Sequence, residues 1–205
     1  MILFTAIRRL FAPVPVRVLA SAVAFPAVNV GLNTLIISTP IPLFLDSMFT
    51  APAAVLGLPY GLATALLTNL FEEMAHGFSG KNLPFAACGV ATVLIVWKMA
   101  RTGNLRTPAH FMLCTFLVAL ANSLLGAALA VFVYGGGTGA NIDVMVAGFS
   151  LAVKGVFSAA FLARVVANLL DKAPAVAAAM FLYRALHYNA SPTPDEGGEA
   201  PLTGR

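Results

Sequence analysis

The stretch Pro108–Tyr134, PAHFMLCTFLVALANSLLGAALAVFVY, is the longest apolar run in the chain and contains no Asp, Glu, Lys or Arg. A membrane-spanning helix needs roughly 20 mostly apolar residues, so this stretch is long enough to cross a bilayer. Irregular backbone cannot face lipid, which leaves a helical bundle or a closed barrel. Barrel strands alternate apolar and polar residues over roughly 10-residue segments, whereas this run is unbroken. We therefore predict an all-α, polytopic membrane helical bundle.

The composition of the whole chain agrees with this prediction. Its 205 residues are 60% hydrophobic and only 10% charged, with a mean hydropathy of +0.89. Soluble domains carry about 25% charged residues, so this chain has too little polar surface for a water-soluble globule. The net charge of +4 comes without a basic helix or a basic and aromatic cluster outside the spans, which argues against nucleic-acid binding. The sequence has no P-loop and no nucleophile-elbow motif, so we expect no ATP binding and no enzymatic activity of its own.

About six spans of this length fit the chain. They are predicted at about Val16–Ile37, Ile41–Leu58, Tyr60–Phe78, Leu83–Ala100, Pro108–Tyr134 and Ala173–Leu186. The second is short and is interrupted by Pro52. We interpret Val144–Val166 as a helical loop or a partly inserted segment, because Lys154 and Arg164 interrupt it; the count of spans could therefore differ by one. Residues 1–188 are predicted to form the membrane domain and residues 189–205 a disordered cytoplasmic tail.

The distribution of charge predicts the orientation of the bundle. Basic residues near span ends accumulate on the cytoplasmic side. With six spans, the same side receives Arg8, Arg9, Arg17, Lys98, Arg101, Arg106 and Arg184. Both termini are then cytoplasmic, and the acidic ends of the second and third spans face outward.

The densest polar cluster lies at the end of the third predicted span. Asn69, Glu72, Glu73 and His76 are spaced so that several of them share one helix face. Ionisable groups inside a bilayer cost roughly 2.5–3.5 kcal/mol each, so they suggest a functional site. Either this face lines an outward-opening polar cavity, which Asn33 could join, or the two glutamates lie at the lipid headgroups. H-E-x-x-H is absent, and we expect neither a metal site nor a cofactor.

Amide and small residues indicate how the helices pack. Asn29 and Asn122 are predicted to bond neighbouring helices, since a buried amide in lipid must find a partner; the alternative is that they contact a ligand. Cys88 and Cys114 fall in different spans and are interpreted as buried apolar residues. A stripe of small residues follows the first span and either packs inside the bundle or docks a partner membrane protein. The stripe consists of Ala20, Ala24, Ala27 and Gly31.

Two regions resemble the substrate-binding S components of energy-coupling factor (ECF) transporters. The first contains PLFLD at 42–46, GLPYG at 57–61 and LLTNL at 66–70. The second is NLLDK at 168–172, which is similar to the entry of the last helix in that family. The resemblance covers most of the chain, although its motifs are mainly small and apolar residues.

The resemblance implies a six-helix subunit in the cell membrane of a bacterium or archaeon. Such a subunit captures a small solute, a vitamin or related micronutrient, from the outside. A membrane coupling subunit and two cytosolic ATPases would be its partners, and the small-residue stripe would meet the coupling subunit. The expected substrate-binding residues are Asn33, Asp46, Asn69, Glu72, Glu73, His76, Asp171 and Lys172. The alternative is a standalone membrane sensor that binds a solute and signals to a partner; the sequence does not identify the solute.

Overall fold

The structure is a computed structural model that describes residues 15–188. The predicted tail at 189–205, Arg8 and Arg9 lie outside the described residues. Seven helices make up the described part, and it contains no β-strand. Their bounds are Val16–Ile37 (α1), Thr50–Leu56 (α2), Leu58–Ala75 (α3), Ala86–Arg101 (α4), Pro108–Phe132 (α5), Ile142–Ser150 (α6) and Val156–Tyr188 (α7). A short 3₁₀ turn, Leu83–Phe85, leads into α4.

The all-α prediction is confirmed for this part of the chain. Between residues 15 and 188, four helices are long and apolar enough to cross a membrane, namely α1, α4 with its preceding turn, α5 and α7. These helices are compatible with a multi-pass membrane protein. The most extensive packing joins α5 to α7, and α6 packs on the same long helix.

The second predicted span, Ile41–Leu58, is not a spanning helix. Pro40 and Pro42 lack an N–H donor and disfavour helical backbone in the residue before them, and the chain stays irregular until α2 begins at Thr50. Side chains from other helices bind this backbone instead: Asp171 accepts the N–H of Leu45 at 2.9 Å. Pro52 does not interrupt the helix; it lies in the first turn of α2, where a missing N–H costs no intrahelical bond.

The predicted bounds of the last span, Ala173–Leu186, cover only the second half of the helix that the structure shows. One continuous helix, α7, runs from Val156 to Tyr188 and passes through Pro174. Only the first part of Val144–Val166 is the expected helical loop, as α6 and a turn, and the rest belongs to α7. The charge of Arg164 does not end the helix, because its side chain is buried against other helices rather than facing lipid.

Two further backbone features shape the bundle. α1 contains a π-helical turn at Ala20–Ala24, directly before the buried Pro26; a proline inside a helix removes one hydrogen bond and clashes with the preceding turn. Gly57, with φ of +147°, separates α2 from α3 and adopts a backbone conformation that side chains disfavour.

The described core is built largely from small residues. One cluster joins α2, α3 and α4 to the second half of α7. The other joins α5 and α6 to the first half of α7, where Ala159, Ala160 and Ala163 are fully buried. Small side chains let helix backbones approach closely, and dispersion can then hold a bundle together in lipid.

Candidate functional site

A cavity of about 130 Å³ lies at the end of the bundle where α1 and α3 finish and α4 begins. Side chains from α1, α3, α4, α5, α6 and α7 and from the intervening loops form its wall. Its polar lining comprises Asn33, Asp46, Glu72, Lys81, Asn82, Asn122, Tyr134, Thr138, Asn141, Arg164, Asn168 and Lys172. Its apolar lining includes Ile37, Leu43, Phe44, Phe85 and Ile142. The combination of apolar walls with convergent polar groups is typical of a small-molecule site.

One face of α7 supplies three of these side chains. Arg164, Asn168 and Lys172 are four residues apart, so they lie above one another on the helix. All three are nearly fully buried and all line the cavity. Buried polar groups of this kind cannot face lipid, and their shared direction orients this face of α7 toward the interior.

Glu72 and Asn33 form the contact between α3 and α1 in the cavity wall. The Nδ2 of Asn33 donates to the Oε1 of Glu72 at 2.8 Å, and both residues are buried. The other carboxylate oxygen of Glu72 has no partner among the described residues. Glu72 can therefore accept a hydrogen bond from a donor in the cavity.

Lys172 is the centre of a buried ion cluster. Its Nζ lies 3.2 Å from the Oδ1 of Asp46 and donates to the Oγ of Ser47 at 2.5 Å. The same Nζ also contacts the Oδ2 of Asp171. Asp171 does not line the cavity; its carboxylate joins Lys172 to the backbone of Leu45. This cluster therefore holds residues 45–47 against α7.

Three other predicted site residues lie away from the main cavity. The carboxylate of Glu73 accepts hydrogen bonds from the loop at 79–82, including the N–H of Gly80 and the N–H of Asn82 at 2.7 Å. His76 is exposed, and its Nδ1 lies 2.7 Å from the carbonyl oxygen of Glu72. Asn69 donates to the carbonyl of Ala65 at 3.0 Å and lines a smaller neighbouring pocket.

The loop that Glu73 binds forms part of the cavity wall. Lys81 and Asn82 line the cavity, and the hydroxyl of Tyr134 donates to the carbonyl of Lys81 at 2.8 Å. Burial raises the pKa of Tyr134 above its usual value, and the Glu73 carboxylate adds to this shift. The hydroxyl therefore remains a neutral donor at physiological pH. The Tyr134 ring stacks on Phe85 with centroids 5.7 Å apart.

Arg164, Asn168 and Asn82 were not among the predicted site residues. In the sequence, Arg164 was interpreted as an interruption of an apolar run. Its four-residue spacing from Asn168, and that of Asn168 from Lys172, is the signal that could have identified it as a site residue. Asn122 was predicted to bond another helix and does so, donating to the Oγ1 of Thr92 at 2.9 Å, but it also lines the cavity. One side chain thus serves both purposes.

The predicted bonding role of Asn29 is confirmed. Its Nδ2 donates to the Oγ1 atoms of Thr50 and Thr68 at 3.2 and 3.1 Å. Its Oδ1 accepts the N–H of Phe49 at 2.9 Å. Asn29 therefore joins α1 to α2 and α3 without reaching the cavity.

The small-residue stripe of α1 does not pack inside the chain. Ala24, Ala27 and Gly31 are exposed and Ala20 is partly buried. A Cβ built on Gly31 would meet nothing within 4 Å. Three of the four residues therefore lie on the surface of the bundle, which does not fit the alternative that the stripe packs inside it.

Neither cysteine forms a disulfide; Cys114 is buried, and Cys88 is partly buried and lines the cavity. Between residues 15 and 188, no group of three His, Cys, Asp or Glu side chains comes together to hold a metal ion.

Comparison with known protein families, with curated proteins and with solved structures finds no match to this chain.

Proposed function

We propose that the chain is the substrate-capture subunit of an ECF-type transporter and binds a small solute from outside the cell. The cavity carries this proposal: charged and amide side chains converge on a concave, partly open space at one end of a largely apolar bundle. Burying such groups in hydrocarbon is expensive, and their retention is typical of a binding site.

The course of the chain supports a six-pass arrangement. α1, α3 and α5 lead toward the cavity end, and α4 and the long α7 lead away from it. The remaining pass is the irregular segment before α2 together with α2 itself. In this arrangement Lys98, Arg101, Arg106 and Arg184 share the end opposite the cavity, where Arg184 donates to the carbonyl of Arg106 at 2.7 Å. The positive-inside rule then orients the cavity outward and the termini toward the cytoplasm.

The exposed stripe on α1 is the proposed docking face for the membrane coupling subunit. Transport itself requires ATP hydrolysis, which this chain has no P-loop to perform, so two cytosolic ATPases would complete the assembly. Small residues on an exposed helix face permit the close contact that helices make in lipid.

Solute accumulation in membrane vesicles tests the transport proposal. Accumulation of a bound solute is expected only when the chain is assembled with a coupling subunit and ATPases and ATP is present. Binding without accumulation would contradict transport and favour the sensor alternative. Absence of any co-purifying or binding small molecule would contradict both.

The docking face has its own test. Ala24→Leu should reduce co-purification with the coupling subunit and leave solute binding unchanged. Ala177→Leu, the same change at an exposed position of α7, is the matched control and should preserve assembly. Equal assembly of the two variants would refute the assignment of the stripe.

A further inference from the structure

Arg164 is the one buried cation of the cavity wall that forms no ion pair within the described residues. Only 2% of its surface is exposed, and its one hydrogen bond within the described residues runs from Nη1 to the carbonyl of Ala160 at 3.3 Å. The ion pairs found in this part of the chain both belong to Lys172. A buried charge without a counter-ion costs several kcal/mol, so the guanidinium requires an acceptor that residues 15–188 do not supply.

The other nitrogens of Arg164, Nε and Nη2, are free of hydrogen bonds within the described residues. A side-chain nitrogen or oxygen that has no partner is either fully enclosed by protein or open to a cavity or solvent. Across residues 15–188, the Oγ1 of Thr115 is the only such atom that is fully enclosed, so the unbonded nitrogens of Arg164 are not. Arg164 also lines the cavity. These donors are therefore accessible from inside it.

Gly126 makes room for this arrangement. A Cβ at this position would lie 3.1 Å from the Cδ and 3.2 Å from the Nε of Arg164. The glycine thus lets the arginine side chain lie against α5.

Asp143 forms no ion pair with Arg164, and its carboxylate is already bonded elsewhere. Its Oδ2 accepts the N–H groups of Thr138 and Gly139 at 2.8 and 2.7 Å, and its Oδ1 accepts the Thr138 hydroxyl. It lies beyond ion-pair distance from Arg164.

We propose that the solute carries a carboxylate, which Arg164 binds through its free N–H groups. The planar guanidinium matches a carboxylate with two parallel hydrogen bonds. Glu72, elsewhere on the wall, has a free carboxylate oxygen for a hydrogen-bond donor on the same solute. The volume of about 130 Å³ is close to that of an engineered cavity of roughly 150 Å³ that holds benzene, so the solute is a compact, ring-sized acid. This inference rests on the proposed solute-binding function.

Two matched pairs of compounds test the charge requirement on the purified protein: 4-aminobenzoate with 4-aminobenzamide, and nicotinate with nicotinamide. Within each pair, a carboxylate becomes a neutral amide of similar shape. Isothermal calorimetry should show tighter binding of the acids, and native mass spectrometry should show that any co-purified molecule is an acid. Tighter binding of the amides, or a co-purified neutral molecule, would overturn the inference while leaving solute binding intact. If nothing binds or co-purifies, both the inference and the proposed function fail.

Variants locate the effect at Arg164. Arg164→Gln should weaken binding of the acid on the order of 10- to 100-fold, as expected for loss of a charge-assisted bond, and should leave binding of the amide unchanged. Arg184→Gln, an exposed arginine at the far end of the same helix, is the control and should bind as the wild type does.

Gly126→Ala provides a second test that keeps the charge and should also weaken binding of the acid, because the added methyl forces the Cδ and Nε of Arg164 to shift by a few tenths of an ångström. This variant decides the question if Arg164→Gln does not fold. Unchanged affinity for the acid in the folded variants would refute the role of Arg164.

Discussion

Lys172→Met tests whether the buried ion cluster holds the irregular segment before α2 against α7. The ammonium is 3% exposed and lies between two carboxylates, those of Asp171, which is 2% exposed, and Asp46, which is 32% exposed. Methionine preserves the length of the side chain but leaves both carboxylates without their cation. Removing one partner of a buried pair costs about 3–5 kcal/mol, whereas a solvent-exposed pair contributes about 0–1 kcal/mol. Asp171 should therefore account for most of the loss.

We expect Lys172→Met to lower the free energy of unfolding by about 3–5 kcal/mol, measured by SDS titration in mixed micelles with circular dichroism as the signal. The double variant Lys172→Met/Asp171→Asn removes the stranded charge, and its amide oxygen can still accept the N–H of Leu45. It should recover about 1–3 kcal/mol.

Lys154→Met is the control, because Lys154 is exposed and forms no ion pair within residues 15–188; a change within about 0.5 kcal/mol is expected. If Lys172→Met costs no more than this control, the cluster does not hold the segment. If the double variant recovers nothing, Asp171 is not the stranded charge.

Three further predictions concern packing and the cavity loop. Asn29→Ala removes the hydrogen-bond partner of the Thr50 and Thr68 hydroxyls and of the Phe49 N–H. It should lower the free energy of unfolding by about 1–3 kcal/mol in the same titration; a smaller decrease would show that water replaces the amide. Glu73→Ala should accelerate amide hydrogen exchange at residues 79–82 and leave the rest of the protein unchanged, and unaltered exchange there would contradict its role as the loop's acceptor. Gly61→Ala places a Cβ 2.7 Å from the Cγ1 of Val93 and 2.9 Å from the Cα of Ala54, and overpacking of this kind costs about 1–3 kcal/mol. Gly31→Ala, with open space around it, should be neutral or stabilising by up to about 1 kcal/mol, so equal effects of the two glycine variants would refute the packing described for α3.

Much of the candidate site could be predicted from the sequence because ionisable and amide residues are rare in apolar helices. Asn33, Asp46, Glu72 and Lys172 were predicted as site residues, and all four line the cavity. Glu73 has the same residue type as Glu72, yet one position along the helix turns its carboxylate toward the 79–82 loop. Composition and spacing give the face of a helix but not the neighbour that this face meets.

The role of Arg164, by contrast, could not be predicted from the sequence around it. In the sequence its charge suggests a break in a span, since an arginine facing lipid is costly. In the structure the same charge lies on the inward face of one long helix, with Gly126 leaving room for it. Whether a charge ends a helix or lines a site depends on residues far away in the chain.

The sequence alone predicted the helical character of the chain and its long apolar helices, which are compatible with a multi-pass membrane protein, because long apolar runs in lipid must satisfy their own backbone hydrogen bonds. Only the tertiary structure decided that the segment after α1 is irregular, that α7 continues through Lys172 and Pro174, and which polar side chains share one cavity. The physical reason is that these outcomes depend on partners supplied by other helices: Asp171 for the backbone of Leu45, and Asp46 for Lys172. Local sequence fixes the need for such partners, and packing determines which residues meet it.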